Sequence, residues 1–522
     1  MSLARAIFTV GGLTMVSRVF GFARDLLTAI VLGAGPLADA FFVALKLPNF
    51  FRRLFAEGAF SAAFVPLVSG KIEDEGAEAG RRLAEQALAL MISFLLPFVV
   101  LGLVFMPAVV TVLAPGFVDE PDKFQAAVDL ARITFPYLLL ISIVALLGGL
   151  LNSIGRFAPF AAAPILFNSA LIIALLYAWF GEGKPAIAMA YAVTVAGVLQ
   201  LILLLAASAK AGVAPKLIAP QLGPDMRQLL KLMGPGLIGG GVLQINLMID
   251  TILASLLPSG AISWLFYADR LYQLPLGVIG IAIGTALLPG LSRAVKGERT
   301  GEATHLLSRA LEYGLLLALP AALGLALISG PIIGGLFQYG RFGPEDTIAT
   351  AAALTAYAIG IPAYVGVKVM NAAYFARQDT ASPVKIAIIS TMINTALSIA
   401  LIQVLGHAGI ALATGITAWL NLALLARGLK RAGHFTLDER FRSRLPRIVI
   451  AGAVMAASLL IALFVTSELG IDVLSDAYRR VGWMFGLIGL GAVTYFVACL
   501  ATGAGRLGEI KRSLSGPSEP AA

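Results

Sequence analysis

Asp39, Lys46 and Arg53 stand seven residues apart in a stretch made mostly of Phe, Leu, Val and Ala. On a helix turning about 100° per residue, steps of seven drift by only about 20°, so the three charges share one face. Glu57 returns close to the angle of Asp39, Asn49 lies one turn before Arg53, and Arg52 adjoins the same end. The apolar stretch before it carries Ser17, Arg18, Arg24 and Asp25, with Arg18 and Asp25 again seven apart. Far downstream, Ser263 and Arg270 keep that interval, and Asp269 and Gln273 sit one turn apart. Guanidinium groups hold phosphate oxygens in bidentate pairs, so a cation-rich stripe of this kind predicts an anionic ligand, for which a pyrophosphate is a natural choice. No nucleophile–base pair or Walker-type loop accompanies it. Binding is expected here, without covalent chemistry.

The elements that must position these residues are membrane helices. Hydrophobic residues make up 59% of the 522, charged residues 13%, and mean hydropathy is +0.90. A soluble domain has about 25% charged residues. Apolar runs near the roughly 20 residues that cross a bilayer core recur along most of the chain. The reading is an all-α polytopic membrane protein with fourteen transmembrane helices, at about 6–34, 37–68, 84–113, 126–152, 159–180, 185–208, 229–257, 262–292, 306–338, 347–375, 383–405, 408–430, 446–468 and 478–502. The single cysteine, Cys499, excludes an internal disulfide, and His305, His407 and His434 lack zinc-type spacing. The net charge of +9 belongs to loops facing the cytoplasm, with no nucleic-acid partner expected. With the N-terminus inside, 25 Lys and Arg fall on the cytoplasmic side and five, Lys123 among them, on the other. Both termini are therefore expected in the cytoplasm.

Away from the span ends, eight cations remain inside the spans: Arg18, Arg24, Lys46, Arg52, Arg53, Arg132, Arg270 and Lys368. Each costs at least ~2.5–3.5 kcal/mol at a helix centre unless it meets water, a counter-ion or the interface. Arg52 and Arg53 fit either a cavity wall or a helix break. Arg18 and Arg24 fit either ligand contact or pairing with Asp25 or Asp39, and Arg270 either ligand contact or pairing with Asp269. Arg132 and Lys368 read as structural or interfacial.

An internal duplication organises the chain. Asn168-Ser-Ala-Leu-Ile-Ile-Ala-Leu resembles Asn394-Thr-Ala-Leu-Ser-Ile-Ala-Leu, and Pro136 and Pro362 share the same offset of 226. This predicts two six-helix lobes in the same orientation. The layout is an N-terminal lobe 1–208, a cytoplasmic linker 209–228, a C-terminal lobe 229–430, a basic cytoplasmic loop 431–445, two extra C-terminal helices in 446–502 and a disordered tail 503–522.

The run from Ser17-Arg18 through Arg24-Asp25, Gly33-Ala-Gly35, Asp39 and Lys46-Leu-Pro48-Asn49-Phe-Phe-Arg52-Arg53 to Glu57-Gly58 and Pro66 resembles the MurJ (MviN) lipid II flippases. Tyr267-Ala-Asp269-Arg270-Leu and the glycine-spaced run from Gly277 to Pro289 resemble them too. The resemblance implies the fold of the multidrug/oligosaccharidyl-lipid/polysaccharide exporter superfamily, with helices thirteen and fourteen forming a groove for a lipid tail. It implies a bacterial plasma (inner) membrane flippase, not an enzyme, that moves undecaprenyl-pyrophosphate-linked disaccharide-pentapeptide outward by alternating access for peptidoglycan assembly. Arg18, Arg24, Asp39, Arg52, Arg53, Asp269 and Arg270 match the family's sensitive cavity positions; Lys46 and Asn49 share their stripe, and Ser17, Asp25, Glu57 and Ser263 would serve gating or pairing. Gln273 departs from the acidic residue expected there. No cofactor is expected beyond a coupling ion, Na+ or H+, or the membrane potential. Asp250, Asn394 and Thr414 match a cation site, although Ser398 stands where a second carboxylate is expected. Membrane lipids and the cell-wall synthesis machinery are the further partners implied. The alternative is a polysaccharide-repeat flippase or a drug/cation antiporter of the same superfamily. A non-transporting scaffold has little use for eight intramembrane cations.

Overall fold

The protein is seen in a computed structural model that describes residues 3–53, 60–181, 183–469 and 476–505, with side chains described from residue 8 onward except 235–240, 242–243 and 281–286. Among the described residues every regular element is helical. In order these are α1 (Leu3–Leu32), α2 (Pro36–Phe51), α3 (Ser61–Glu75), α4 (Ala77–Val104), α5 (Met106–Leu113), a 3-10 turn Pro115–Asp119, α6 (Pro121–Thr134), α7 (Tyr137–Ser153), α8 (Ala158–Phe180), α9 (Pro185–Lys210) and α10 (Pro224–Ser255). There follow α11 (Ala261–Lys296), α12 (Thr300–Leu327), α13 (Ser329–Phe337), α14 (Pro344–Ala358), α15 (Ile361–Phe375), α16 (Ala381–Leu405), α17 (His407–Arg431), α18 (Glu439–Glu468) and α19 (Ala477–Thr502). Prolines open α2, α6, α9, α10 and α14, where the missing N–H would have had no partner anyway.

Ten helical stretches among the described residues are long and apolar enough to cross a bilayer. The other four expected spans coincide with α1, α2–α3, α10 and α11, each carrying charged residues mid-helix. Within the expected span 37–68 the α-helical geometry changes at Arg52, and residues 54–59 lie outside the described ones. Helix α2 stops at Phe51, Arg52 and Arg53 adopt a π turn, and α3 begins at Ser61. Pro48 one turn earlier already weakens the ladder, because it has no N–H to give the carbonyl of Ala44.

In hydrocarbon such a freed carbonyl needs another donor, and at three prolines the fold supplies one. The Thr134 hydroxyl donates to Ala44 O at 2.9 Å. Pro107 frees Leu103 O, which accepts from Arg132 Nε at 3.3 Å. Pro320 frees Leu316 O, which accepts from the Tyr495 hydroxyl at 2.9 Å. Arg132 is thus a structural cation. So is Lys368, whose Nζ donates to Leu276 O at 3.1 Å.

Two compact units emerge: residues 1–263 with 339–343, and residues 264–338 with 344–522. In the first, α4 packs on α7, and α6, α7 and α8 all pack on α9. In the second, α12 packs on α15, and α14, α15 and α16 all pack on α17. The same neighbours recur in the same chain order, as a same-orientation duplication requires. Helices α18 and α19 pack on each other and on α12.

Candidate functional site

The residues singled out by spacing fall into different environments. In the first unit, Arg24 is largely buried. Its Nε and one terminal nitrogen donate to Asp25 Oδ1 at 3.0 and 2.6 Å, its other nitrogen donates to Asn168 Oδ1 at 2.9 Å, and its guanidinium lies 5.9 Å from the Phe167 ring centre. Asn168 in turn donates to Ser17 O at 3.0 Å. The asparagine that marks the repeat therefore ties α8 to α1. Arg24 and Asp25 form a paired, positioned set, whereas Arg18 on the same helix is exposed.

Along α2 the expected stripe divides. Asp39 is buried, Asn49 and Arg52 half-buried, Lys46 and Arg53 exposed. Lys46 Nζ donates to Thr251 Oγ1 on α10 at 2.8 Å. Asn49 donates to Leu45 O at 2.9 Å and accepts from Arg52 Nε at 3.2 Å. The π turn aims Arg52 back along the helix and leaves Arg53 outward. π turns inside helices recur at functional sites. Glu57 lies outside the described residues.

Asp39 differs most from expectation. Its available partners were to be arginines; they are instead a helix N-terminus and a lysine. Oδ2 accepts from Gly260 N at 2.7 Å, and Oδ1 accepts from Ser263 N at 2.9 Å and Ser263 Oγ at 2.6 Å. A carboxylate on α2 thus caps α11, meeting both its unpaired N–H groups and the positive end of its dipole. Lys123 Nζ approaches Oδ2 at 3.4 Å. Ser263 is brought to Asp39 as a pairing residue. Lys123, assigned from sequence to a solvated loop, is 2% exposed. Its only sequence signal was Glu120 three residues before it, which it meets at 3.3 Å.

Nearby, residues 339–343 fold against the end of α1. Arg341 N donates to Ile30 O at 2.9 Å, supplying one of that helix's unpaired carbonyls. Gly340, at φ +57°, sits where a Cβ would come within 2.4 Å of Ile30 O.

In the second unit Asp269 and Arg270 are half-buried on α11. Gln273 donates to Asp269 Oδ2, and the Arg270 guanidinium stacks 4.6 Å from the Phe266 ring centre. The amide that replaces the expected acid therefore serves Asp269 as a hydrogen-bond donor. Asn394 is buried, and the Thr414 hydroxyl donates to Ile410 O of its own helix at 3.0 Å. Asp250 belongs to the first unit.

Sequence bookkeeping also misplaced cations near α12. Glu312 is 1% exposed and receives Arg309, Arg440 at 3.2 Å and Arg444 at 2.6 Å. Arg309 further meets Asp438 at 2.6 Å. The positions of these arginines near the cytoplasmic ends of spans predict solvent exposure; Arg444 is buried and Arg309 half-buried. They pin the start of α18 to α12.

A family model described as lipid II flippase MurJ matches residues 28–475. The chain belongs to the MurJ lipid II flippase family. A probable lipid II flippase MurJ of Rhizobium meliloti is 42% identical over 98% of this chain and 96% of its own length. A solved structure of lipid II flippase MurJ in an inward closed conformation superposes with a TM-score of 0.80, at 26% identity over 96% of this chain and 99% of that one. An inward-facing multidrug resistance MATE transporter of the MOP superfamily, 14% identical, shares the fold with a TM-score of 0.67 over 82% of this chain and 98% of its own. As a MurJ family member the chain is a multi-pass transporter of the bacterial inner membrane, not an enzyme.

Proposed function

We propose that this chain carries lipid II, the undecaprenyl-pyrophosphate-linked disaccharide-pentapeptide, from the cytoplasmic to the outer leaflet for peptidoglycan synthesis. The observation that carries this reading is the exposure of Arg18 on the apolar helix α1 of a MurJ family member, with Arg53 exposed in the turn after α2. A cation such as Arg18, held there at such cost, is stabilised by an anion, and pyrophosphate offers bidentate partners to guanidinium. Arg24, held by Asp25 and Asn168, presents a fixed charge behind Arg18. Arg52, Lys46 and Asn49 complete the α2 set, with Asp269 and Arg270 supplying the α11 set. The two six-helix lobes, 1–208 and 229–430, then expose these residues to one leaflet and the other in turn. Both termini lie in the cytoplasm. The polyprenyl tail stays in hydrocarbon beside helices α18 and α19; an apolar pocket of about 350 Å³ among α12, α15, α17 and α18, lined by Leu315, Leu319, Val365, Leu422 and Ile448, supports an apolar route on this side. Energy comes from membrane potential or from an ion, Na+ or H+, and the product passes to the cell-wall synthesis machinery.

The test is surface accessibility of lipid II in cells depleted of this protein and complemented with variants. The parent restores labelling of lipid II from outside. Arg18→Ala and Arg53→Ala fail to restore it while accumulating in the membrane at parental levels. Restoration by both variants, or efflux of organic cations with lipid II labelling untouched, overturns the proposal.

A further inference from the structure

The buried ammonium of Lys123 has no part in holding a diphosphate, yet it lies where three chain segments meet. We propose that Lys123 is a positioning residue for transport: it holds the α10–α11 turn closed against α2 and α6, and that turn leaves only when the lysine's contacts break. The proposal rests on the transport of lipid II proposed above.

The side-chain contacts of Ser259 and the carboxylate that takes the Gly260 N–H meet in one cluster. Lys123 Nζ donates to Ser259 Oγ at 2.7 Å, lies 3.3 Å from Glu120 Oε1 and 3.4 Å from Asp39 Oδ2, and sits 4.2 Å over the centre of the Phe117 ring. Ser259 Oγ also donates to Glu120 at 3.0 Å, and the next residue, Gly260, donates to Asp39. Two carboxylates therefore take hold of the turn, and one ammonium lies within reach of both. On the other flank Gly116 N donates to Ser255 Oγ at 3.3 Å, with backbone so close that a Cβ at Gly116 would stand 2.1 Å from Ser255 O.

Such a clasp behaves unlike apolar packing. Closed, each charge has partners; open, Asp39, Glu120 and Lys123 are each rehydrated. The intermediate, with one partner missing from the buried set, is the costly state. The element thus has two stable arrangements, which is what a step between two exposures requires. Removing the ammonium leaves Asp39 buried with uncompensated charge, and the balance tips toward open.

The experiment uses the full chain with Cys499→Ala, which removes the sole and buried cysteine, and Ser255→Cys as reporter. Ser255 is 3% exposed in the closed clasp. With a membrane-impermeant maleimide added from outside, Lys123→Met should label at least about tenfold faster than the parent, because an unpaired buried charge is strongly unfavourable. Lipid II translocation should fall by a similar factor. Lys123→Arg should restore both, and Asp39→Asn combined with Lys123→Met should label no faster than Lys123→Met alone. A shift in labelling and its reversal by arginine are readouts that a merely structural lysine would not move together. If Lys123→Met does not accumulate, Ser259→Ala, which deletes the 2.7 Å contact, should still raise labelling. Unchanged labelling and translocation in the variant that accumulates overturn the proposal. A parent that labels slowly but moves no lipid II overturns the transport reading instead, and leaves the clasp standing.

Discussion

Lys368 shows at residue scale how tightly intramembrane cations are accommodated. Its Nζ reaches Leu276 O because Gly280 has no side chain; a Cβ there would lie 1.9 Å from Nζ. Gly280→Ala should push the ammonium off its carbonyl and cost about 1–3 kcal/mol. Thermal unfolding in detergent should show a lowered Tm, and Lys368→Met in the same background should recover part of it. Gly340 poses a stiffer case, since the obstructing atom is backbone and φ is positive. Gly340→Ala should undock residues 339–343 from α1, which faster proteolysis of that loop would report. Unaltered cleavage would contradict the docking.

At the scale of the helix, proline is the recurring device. Each interior proline discussed above frees a carbonyl, and a side chain from a neighbouring helix takes it up. Helix breaking is thereby converted into helix pairing: Thr134 joins α6 to α2, and Tyr495 joins α19 to α12. Tyr495→Phe keeps the ring but orphans Leu316 O, so it should lower stability by about 1–2 kcal/mol, measured as a drop in Tm. The junction between α12 and the start of α18 is ionic instead. Burial works to raise the Asp438 carboxyl, but the Phe441 N–H and the Arg309 guanidinium outweigh it and hold it below the usual carboxylate value. A depressed carboxylate stabilises the fold above its unfolded pKa and loses that contribution as pH falls through the folded one. The junction should therefore hold across neutral pH and loosen only as pH falls below the ordinary aspartate value of 3.8. A pH series of melts should show this decline in the parent and not in Asp438→Asn.

For the whole molecule, the charge asymmetry makes a prediction about orientation. Lys210 ends α9 and Lys184 precedes it, so the two mark opposite faces of the membrane. In a Cys499→Ala chain, Lys184→Cys should react with an impermeant thiol reagent applied outside and Lys210→Cys should not. The reverse pattern would invert the topology proposed here. Orientation matters to function, because only with both termini inside does the Asp39–Lys123 clasp lie on the outer face.

The sequence alone determined the membrane class, the duplicated helix order and the candidate cations, because hydropathy, repeat spacing and intramembrane charge are properties of composition and period. It also limited Arg24 to ligand contact or pairing, and the structure shows Asp25 as partner. Only tertiary structure decided which charges are enclosed. Lys123 and Glu312 look like loop residues by position, yet they are buried because segments more than a hundred residues away fold over them. Asp39 looks like one member of a cationic stripe, yet it caps a helix that begins 222 positions later. Periodicity places a residue on a face; what that face meets depends on contacts between segments whose separation along the chain leaves no local trace.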